Sequence, residues 1–332
     1  MAVAAGTNGV APVVSVVDLK KNFGTVEAVR DVSFDVRPGE FFGLLGPNGA
    51  GKTTTIKILS TLLLPTSGKA SIAGFDVTQA PDEVRRRIGI IFQDPSLDDR
   101  LTAEENLRFH AALYGVPPSA AAERIPFLLD LMGLTDRAKS ATRGFSGGMK
   151  RRLEVARALL HVPSILILDE PTTGLDPQSR RAFWEIIRNI RAAREVSVLL
   201  TTHYMEEAEV CDRIAIVDEG RIIALDTPAK LKSQVGGHAI LLTLTDGPVP
   251  TFAYPAEQTA ESKWRVTVPD AEEALPALVA GLGSRITSLD IQRPSLDDVF
   301  IALTGKGLRE TEVDAAGRMR EFMRSAGGRR MR

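Results

Sequence analysis

The sequence predicts an α/β fold: a mostly parallel sheet covered by helices, a helical insertion within it, and a small α+β domain after it. Three observations predict this. Short apolar runs at Phe41–Leu45, Ile88–Phe92, Ser164–Leu168, Ser197–Thr201 and Ile214–Val217 have the length of buried strands. Helical patterns at Gly51–Ser60 and Ser179–Ala193 alternate with them, which is the rhythm of parallel strands with crossover helices. The texture turns helical between Thr102 and about Ser140, and breaks again at Gly236–Gly237.

Taken in order, residues 1–12 are small and polar, and are expected to fray. Val13–Leu19 and Ala28–Val36 alternate as strands, with Asn22–Gly24 as the turn. After the Phe41–Leu45 strand and the Gly51–Ser60 helix comes a strand pattern at Lys69–Ala73. In the insertion, Leu107, Leu113, Phe127, Leu128, Leu131 and Met132 recur at helical spacing, punctuated by Pro117, Pro118 and Gly133. Ser146–His161 opens with Ser-Gly-Gly and continues as a basic amphipathic helix. Beyond Gly237, Ala239–Thr245 reads as a strand, Ala271–Leu282 as a helix and Ile286–Ile291 as a strand. The tail after Gly305 has eight basic and four acidic residues, a net charge of +4. Met319, Phe322 and Met323 give it the spacing of a short amphipathic helix, while its composition also suits a solvated, flexible segment.

With 332 residues the chain has room for one large and one smaller domain. It is 44% hydrophobic and 25% charged, an ordinary globular composition, and its formal net charge of −1 argues against a general nucleic-acid binder. A single cysteine, Cys211, excludes an internal disulfide and suits a reducing compartment. Met1–Val14 has neither the basic start nor the apolar core of a signal peptide. The apolar stretches, such as Leu62–Leu64, fall far short of the about 20 residues a spanning helix needs. The expectation is a cytoplasmic protein whose membrane role runs through a partner.

Gly46-Pro47-Asn48-Gly49-Ala50-Gly51-Lys52-Thr53 fits G-x-x-x-x-G-K-[ST] between a strand and a helix. Its glycines let backbone N–H groups converge on phosphate, and the helix N-terminus adds a positive dipole end. Lys52 is expected to reach the β- and γ-phosphates of ATP, and Thr53 to ligate Mg²⁺, with Thr54 beside them. Asp169 and Glu170 end the apolar strand that follows Ser164. Alone, two such carboxylates would read as a solvated turn. Beside a phosphate loop, Asp169 reads as a Mg²⁺ holder and Glu170 as the base for the attacking water. The core therefore reads as a P-loop NTPase.

Phe145-Ser146-Gly147-Gly148-Met149 resembles the L-S-G-G-Q signature of ABC ATPases, and Pro171–Asp176 resembles their D-loop. Gln93, after a strand, resembles the Q-loop glutamine; His203 resembles the switch histidine; Phe23 stands where an adenine-stacking aromatic would be, although it also suits a core or turn aromatic. The resemblance spans residues 13 to about 225 and departs from the pattern at Phe145 and Met149. It implies a homodimer of ATPase subunits with ATP and Mg²⁺ between head-to-tail copies. Lys52, Gln93, Asp169, Glu170 and His203 would come from one copy, and Ser146, Gly147 and Gly148 from the other. Gln93 would also approach the metal, and Asp176 the nucleotide. The expected domains are a flexible 1–12, a nucleotide-binding domain over 13–236 with its helical insertion at about 94–162, an α+β domain over 237–305, and a basic tail over 306–332.

Pro294–Gly305, Phe145–Glu154 and Leu101–Gly115 resemble bacterial drug-export subunits of the daunorubicin/doxorubicin-resistance type. That resemblance implies export of a hydrophobic drug, antibiotic or lipid through a separate transmembrane permease, at the cytoplasmic face of the membrane. Docking to the permease is expected through the Gln93 loop and the insertion, and the basic tail could also touch anionic lipid. The alternative is an ABC-type ATPase with a regulatory or nucleic-acid-linked role and no transporter partner.

Overall fold

The computed structural model describes residues 11–94, 96–194, 196–235, 237–245 and 250–305. The basic tail and its Met319–Met323 pattern lie outside them. The chain forms two compact units that divide between Leu225 and Asp226, upstream of the Gly236–Gly237 break read from composition.

The first unit holds two sheets. β1 (Val14–Phe23) and β2 (Val26–Val36) pair antiparallel, so Asn22 and Phe23 belong to the strand, and the turn is Gly24–Thr25 rather than Asn22–Gly24. β3 (Phe41–Leu45) begins the second sheet and runs into α1 (Lys52–Leu59). β4 (Ser67–Ile72) and β5 (Phe75–Asp76) complete the first sheet, in the order β2-β1-β4-β5. α2 (Pro81–Arg87) leads into β6 (Ile88–Ile91).

The insertion follows. α3 (Ala103–Leu113) starts at a capping box in which Thr102 and Glu105 satisfy each other's backbone N–H. It packs on α4 (Pro118–Leu131) and α5 (Gly147–Leu159), burying Leu107, Ala111, Ile125, Leu128 and Leu153. Leu113 and Phe127, counted in the helical spacing, are instead exposed.

β7 (Ile165–Asp169), α6 (Pro177–Arg194), β8 (Ser197–Thr202), α7 (Met205–Ala208), β9 (Arg213–Asp218) and β10 (Arg221–Asp226) close the unit. The second sheet has the order β10-β9-β3-β8-β7-β6, with β9, β3, β8, β7 and β6 mutually parallel. Every residue of β3, β7 and β8 is buried, which accounts for their unbroken apolar runs. A parallel sheet brings all its carboxyl ends to one edge, where ligands of open α/β sheets bind.

The second unit contains α8 (Pro228–Ser233), β11 (His238–Leu244), β12 (Ala256–Ala260), β13 (Lys263–Val268), α9 (Ala271–Leu282), β14 (Ile286–Gln292) and α10 (Leu296–Thr304). Its sheet is antiparallel, in the order β12-β13-β11-β14. Ile240, Leu242, Val266, Val268, Ala274 and Leu278 form its core. α10 opens with a Ser295–Asp298 capping box and buries Leu296, Val299 and Phe300, leaving Leu303 46% exposed.

Candidate active site

β3 delivers the chain to Gly46, and α1 starts at Lys52, so the glycine-rich segment is a loop between a buried strand and a helix N-terminus. Gly51 has φ 97°, and a Cβ there would lie 2.4 Å from the carbonyl oxygen of Ala28, so only glycine fits. Gly46 N–H donates to Thr202 O at 3.2 Å, and Gly220 N–H donates to Ala50 O at 3.1 Å, pinning the loop to its neighbours. Pro47 and Ala50 are buried supports of the loop.

Lys52 is buried. Its Nζ donates to Gly46 O at 2.7 Å and Pro47 O at 3.0 Å, and lies 3.3 Å from Glu170 Oε1. Thr53 Oγ1 donates to Asp169 Oδ1 at 3.1 Å, and Thr201 Oγ1 donates to the same oxygen at 2.5 Å. Burial raises the Asp169 carboxyl above its usual range, with the neighbouring Glu170 charge adding to the rise, and the two threonine hydroxyls offset only part of it.

Glu170 leaves β7 with φ 45°, a left-handed backbone unusual for glutamate. Its N–H donates to Thr201 O and Thr201 Oγ1, both at 3.1 Å. Its Oε2 sits 3.4 Å from His203 Nδ1. Burial opposes ionisation of Glu170, but the His203 imidazole and the Lys52 ammonium outweigh it and hold the carboxyl below its usual range. Glu170 is thus kept as a carboxylate able to accept a proton, with a cation on one side and an imidazole on the other.

Gln93, Asn48, Gly49, Lys52, Thr53, Thr54, Glu170 and His203 line one polar cleft of about 650 Å³, together with Ala28, Gly51 and Thr173. That volume lies within the range of small-molecule sites. The remaining residues read from sequence stand elsewhere. Phe23 ends β1, 50% exposed, with Lys21 Nζ 5.2 Å from its ring centroid. Ser146 caps α5, accepting from Met149 N–H at 3.2 Å, and Gly147 follows it on an exposed helix end. A Cβ on Gly148 would meet Ser179 Oγ at 2.5 Å, so glycine allows α5 and α6 to approach. Asp176 accepts from Gln178 N–H and Ser179 N–H at 3.0 Å, at the start of α6.

Sequence reasoning missed several residues. Thr201 bridges Asp169 and the Glu170 backbone, yet in sequence it is the end of an apolar strand. Arg151, buried in α5, donates to Phe92 O and Pro171 O, both at 2.5 Å, and to Glu154 Oε2 at 3.1 Å. It thereby joins the signature helix to the chain just before Gln93 and just after Glu170. The basic run Lys150-Arg151-Arg152 gives no sign of which member faces inward. Glu207 accepts hydroxyl hydrogen bonds from Thr172 and Thr202, and nothing in the local pattern announces it.

Comparison with known proteins agrees with this geometry. A family model described as ABC transporter matches residues 29–173, and one described as ATP-binding protein DrrA1-3-like, C-terminal domain, matches residues 227–304. The chain is 38% identical to the linearmycin resistance ATP-binding protein LnrL of Bacillus subtilis (strain 168), over 88% of this chain and 98% of that protein. It is 40% identical to the daunorubicin resistance ATP-binding protein DrrA2 of Streptomyces coeruleorubidus, over 90% of this chain and 97% of that one. It is 38% identical to the Nod factor export ATP-binding protein I of Ralstonia nicotianae, over 91% and 97% of the two chains. Among solved structures, an ATP-binding subunit of an ABC transporter aligns with TM-score 0.61 and 36% identity, covering 67% of this chain and 92% of that one. A dimeric post-hydrolysis ATP-binding cassette bound to ADP and Pi aligns with TM-score 0.59 and 26% identity, over 64% and 98% of the two chains. From the phosphate loop through the DrrA-like carboxyl-terminal domain, this chain belongs to the ATP-binding proteins of ABC transporters and is an ABC ATPase of the drug-resistance group.

Proposed function

We propose that this ABC ATPase works as a homodimer that hydrolyses Mg-ATP to drive export of a hydrophobic drug, antibiotic or lipid through a separate membrane-spanning permease. The observation that carries the reading is the meeting of Lys52, Thr53, Asp169, Glu170 and His203 at the carboxyl ends of β3, β7 and β8. The names of its relatives, linearmycin resistance, daunorubicin resistance and Nod factor export, support an exporter. Among the described residues no helix is long and apolar enough to cross a membrane, which suits a subunit on the cytoplasmic face beside its permease.

The residues divide the work. The loop from Gly46 to Thr54 cradles the phosphates with backbone N–H groups. Lys52 turns its ammonium from the Gly46 and Pro47 carbonyls to the phosphate oxygens. Thr53 and Asp169 offer two hard oxygen donors 3.1 Å apart, with Gln93 on the same cleft, and these fit a magnesium ion held partly by substrate phosphates. When bound, that ion neutralises charge on the phosphates undergoing transfer. Glu170, already ionised, accepts the proton of the attacking water, and His203 holds its far oxygen in place. Phe23 would stack on adenine. The exposed α5 end at Ser146–Gly148, with Asp176 linked to it through Ser179, would close over the nucleotide of the second copy, its helix dipole facing phosphate.

Glu170→Gln in the full chain tests this reading. It should retain ATP, lose hydrolysis by about 100-fold or more, and elute as a trapped dimer in Mg-ATP. A persistent monomer would overturn the paired arrangement. Extraction of the wild-type complex from membranes should bring a multispanning protein with it; recovery of the ATPase alone would count against the export role.

A further inference from the structure

Glu207 is a buried carboxylate that these roles leave unused. It lies on the short helix α7, 3% exposed. Its Oε2 accepts from Thr202 Oγ1 at 2.6 Å, and its Oε1 accepts from Thr172 Oγ1. Both threonines are themselves buried. An ionised carboxylate has acceptors only, and here two hydroxyls from separate strand ends turn to meet it.

The positions of those threonines give the contact its meaning. Thr202 immediately precedes His203, and its hydroxyl also accepts from Tyr204 N–H at 2.9 Å, closing the histidine turn. The Thr202 carbonyl receives Gly46 N–H at 3.2 Å, so the phosphate loop rests on the same residue. Thr172 lies two residues after Glu170, in the turn where Thr173 N–H donates to Glu170 O at 3.3 Å. One carboxylate therefore grips the segment carrying the general base and the segment carrying the histidine beside it. The side chains themselves meet across a single 3.4 Å contact. The same two segments are also joined by the pairing of Asp169 with Thr201 between β7 and β8, and by the Thr201 hydrogen bonds to Asp169 and to Glu170 N–H.

We propose that Glu207 is a positioning residue for ATP hydrolysis: by holding Thr172 and Thr202 together it fixes the Glu170–His203 alignment in which the attacking water is deprotonated. The inference rests on Glu170 being the base. It separates alignment from binding, because Glu207 holds only the threonine hydroxyls, whereas the phosphate loop meets Thr202 through its main chain and Lys52 binds Gly46 O and Pro47 O. Small misplacements of reacting groups lower the rate without a matching loss of affinity.

The test uses the full-length chain, with Glu207→Gln, Thr172→Val, Thr172→Ser and the double variant Glu207→Gln/Thr172→Val. Steady-state hydrolysis, affinity for a fluorescent ATP analogue and the thermal midpoint are measured for each. Thr172→Val is close in volume to threonine and removes one hydroxyl, so it keeps the test decisive even if Glu207→Gln folds poorly. Glu207→Gln and Thr172→Val should each lower kcat about 10-fold while analogue affinity stays within about twofold. Thr172→Ser, which restores the hydroxyl, should recover most of the rate. The double variant should be no slower than the worse single one, because both act on one clamp. Wild-type kcat in Thr172→Val would overturn the proposal, as would rate, affinity and thermal midpoint falling together. Glu170→Gln run in parallel separates the two claims: if it hydrolyses ATP normally, the assignment of the base fails. If it is inactive while the clamp variants turn over normally, only the role of Glu207 fails.

Discussion

Lys52 Nζ lies 3.3 Å from Glu170 Oε1, so the cation of the phosphate loop is also the nearest counter-charge of the carboxylate at the end of β7. The pair is buried, and each member carries a charge that is costly to leave alone. The glycine-rich loop and the Glu170 carboxylate are electrostatically one object.

Lys52→Ala should therefore do two things. ATP binding should weaken by at least about 10-fold, read by calorimetry, because the positive group aimed at the phosphates is gone. Glu170, its carboxyl held low in the folded chain, contributes stability present above its ordinary value of 4.5 and lost as pH falls below it. In Lys52→Ala that acid-side loss should shrink, and thermal midpoints at pH 4 and pH 7 should lie closer together than in the wild type.

Asp169→Asn should separate stability from function. The Asp169 carboxyl is raised by burial, so the fold favours its neutral form, and its ionisation lowers stability as pH rises above the ordinary value of 3.8. An asparagine keeps the shape and the hydrogen bonds with Thr53 and Thr201 without the buried charge. The variant should melt no lower than wild type at pH 7.5, yet its ATP affinity should lose most of its dependence on added magnesium. An unchanged magnesium titration would remove Asp169 from the metal site.

Arg151→Leu should be among the most damaging substitutions away from the cleft. It strips four acceptors, Phe92 O, Pro171 O, Glu170 O and Glu154 Oε2, of a donor and leaves Glu154 buried with Ser96 N–H at 2.9 Å, Ser96 Oγ at 3.4 Å and the Arg157 guanidinium at 3.8 Å. Breaking a buried pair on one side costs about 3–5 kcal/mol. Urea denaturation should show a loss of that order. A loss below about 1 kcal/mol would mean that the pair is hydrated and weak.

The insertion should carry an acid-sensitive point. His110 stacks on Tyr114 with ring centroids 4.4 Å apart, and Tyr114 stacks on His161 at 4.3 Å. Burial, with the Arg157 and His161 charges, pushes His110 down to about 3. The unfolded chain takes up that proton below the ordinary value of 6.5 and the folded chain does not, so stability falls as pH drops from 6.5 toward 3. His110→Phe keeps a ring against Tyr114 and should reduce the fall in thermal midpoint between pH 7.5 and pH 5.5. An identical fall would assign the effect to other groups.

Much of this was legible in the sequence because the cleft is built at strand ends. An apolar run followed by Gly46–Thr53, by Asp169-Glu170, or by His203 places those residues at one sheet edge as soon as the strands are parallel. Residues that work from inside were not legible. Thr201, Arg151 and Glu207 are polar groups whose burial depends on partners 19 to 59 positions away, and no periodicity encodes such a meeting. The strand β12 escaped for the opposite reason: all its residues are exposed, and it is held by main-chain pairing to β13 rather than by an apolar face. The boundary at Asp226 escaped too, because the glycine pair lies inside the second unit, beyond α8.

The left-handed turn of the chain at Glu170, φ 45°, limits what evolution or an engineer could place there. Glycine and asparagine adopt such geometry with little or no strain, whereas valine or isoleucine would resist it by about 1–2 kcal/mol. The substitutions most comfortable for the main chain are the ones that delete the carboxylate. Directed evolution for thermal tolerance alone should therefore drift toward inactive proteins at this one position, and selection for turnover is what keeps a glutamate in an uncomfortable seat.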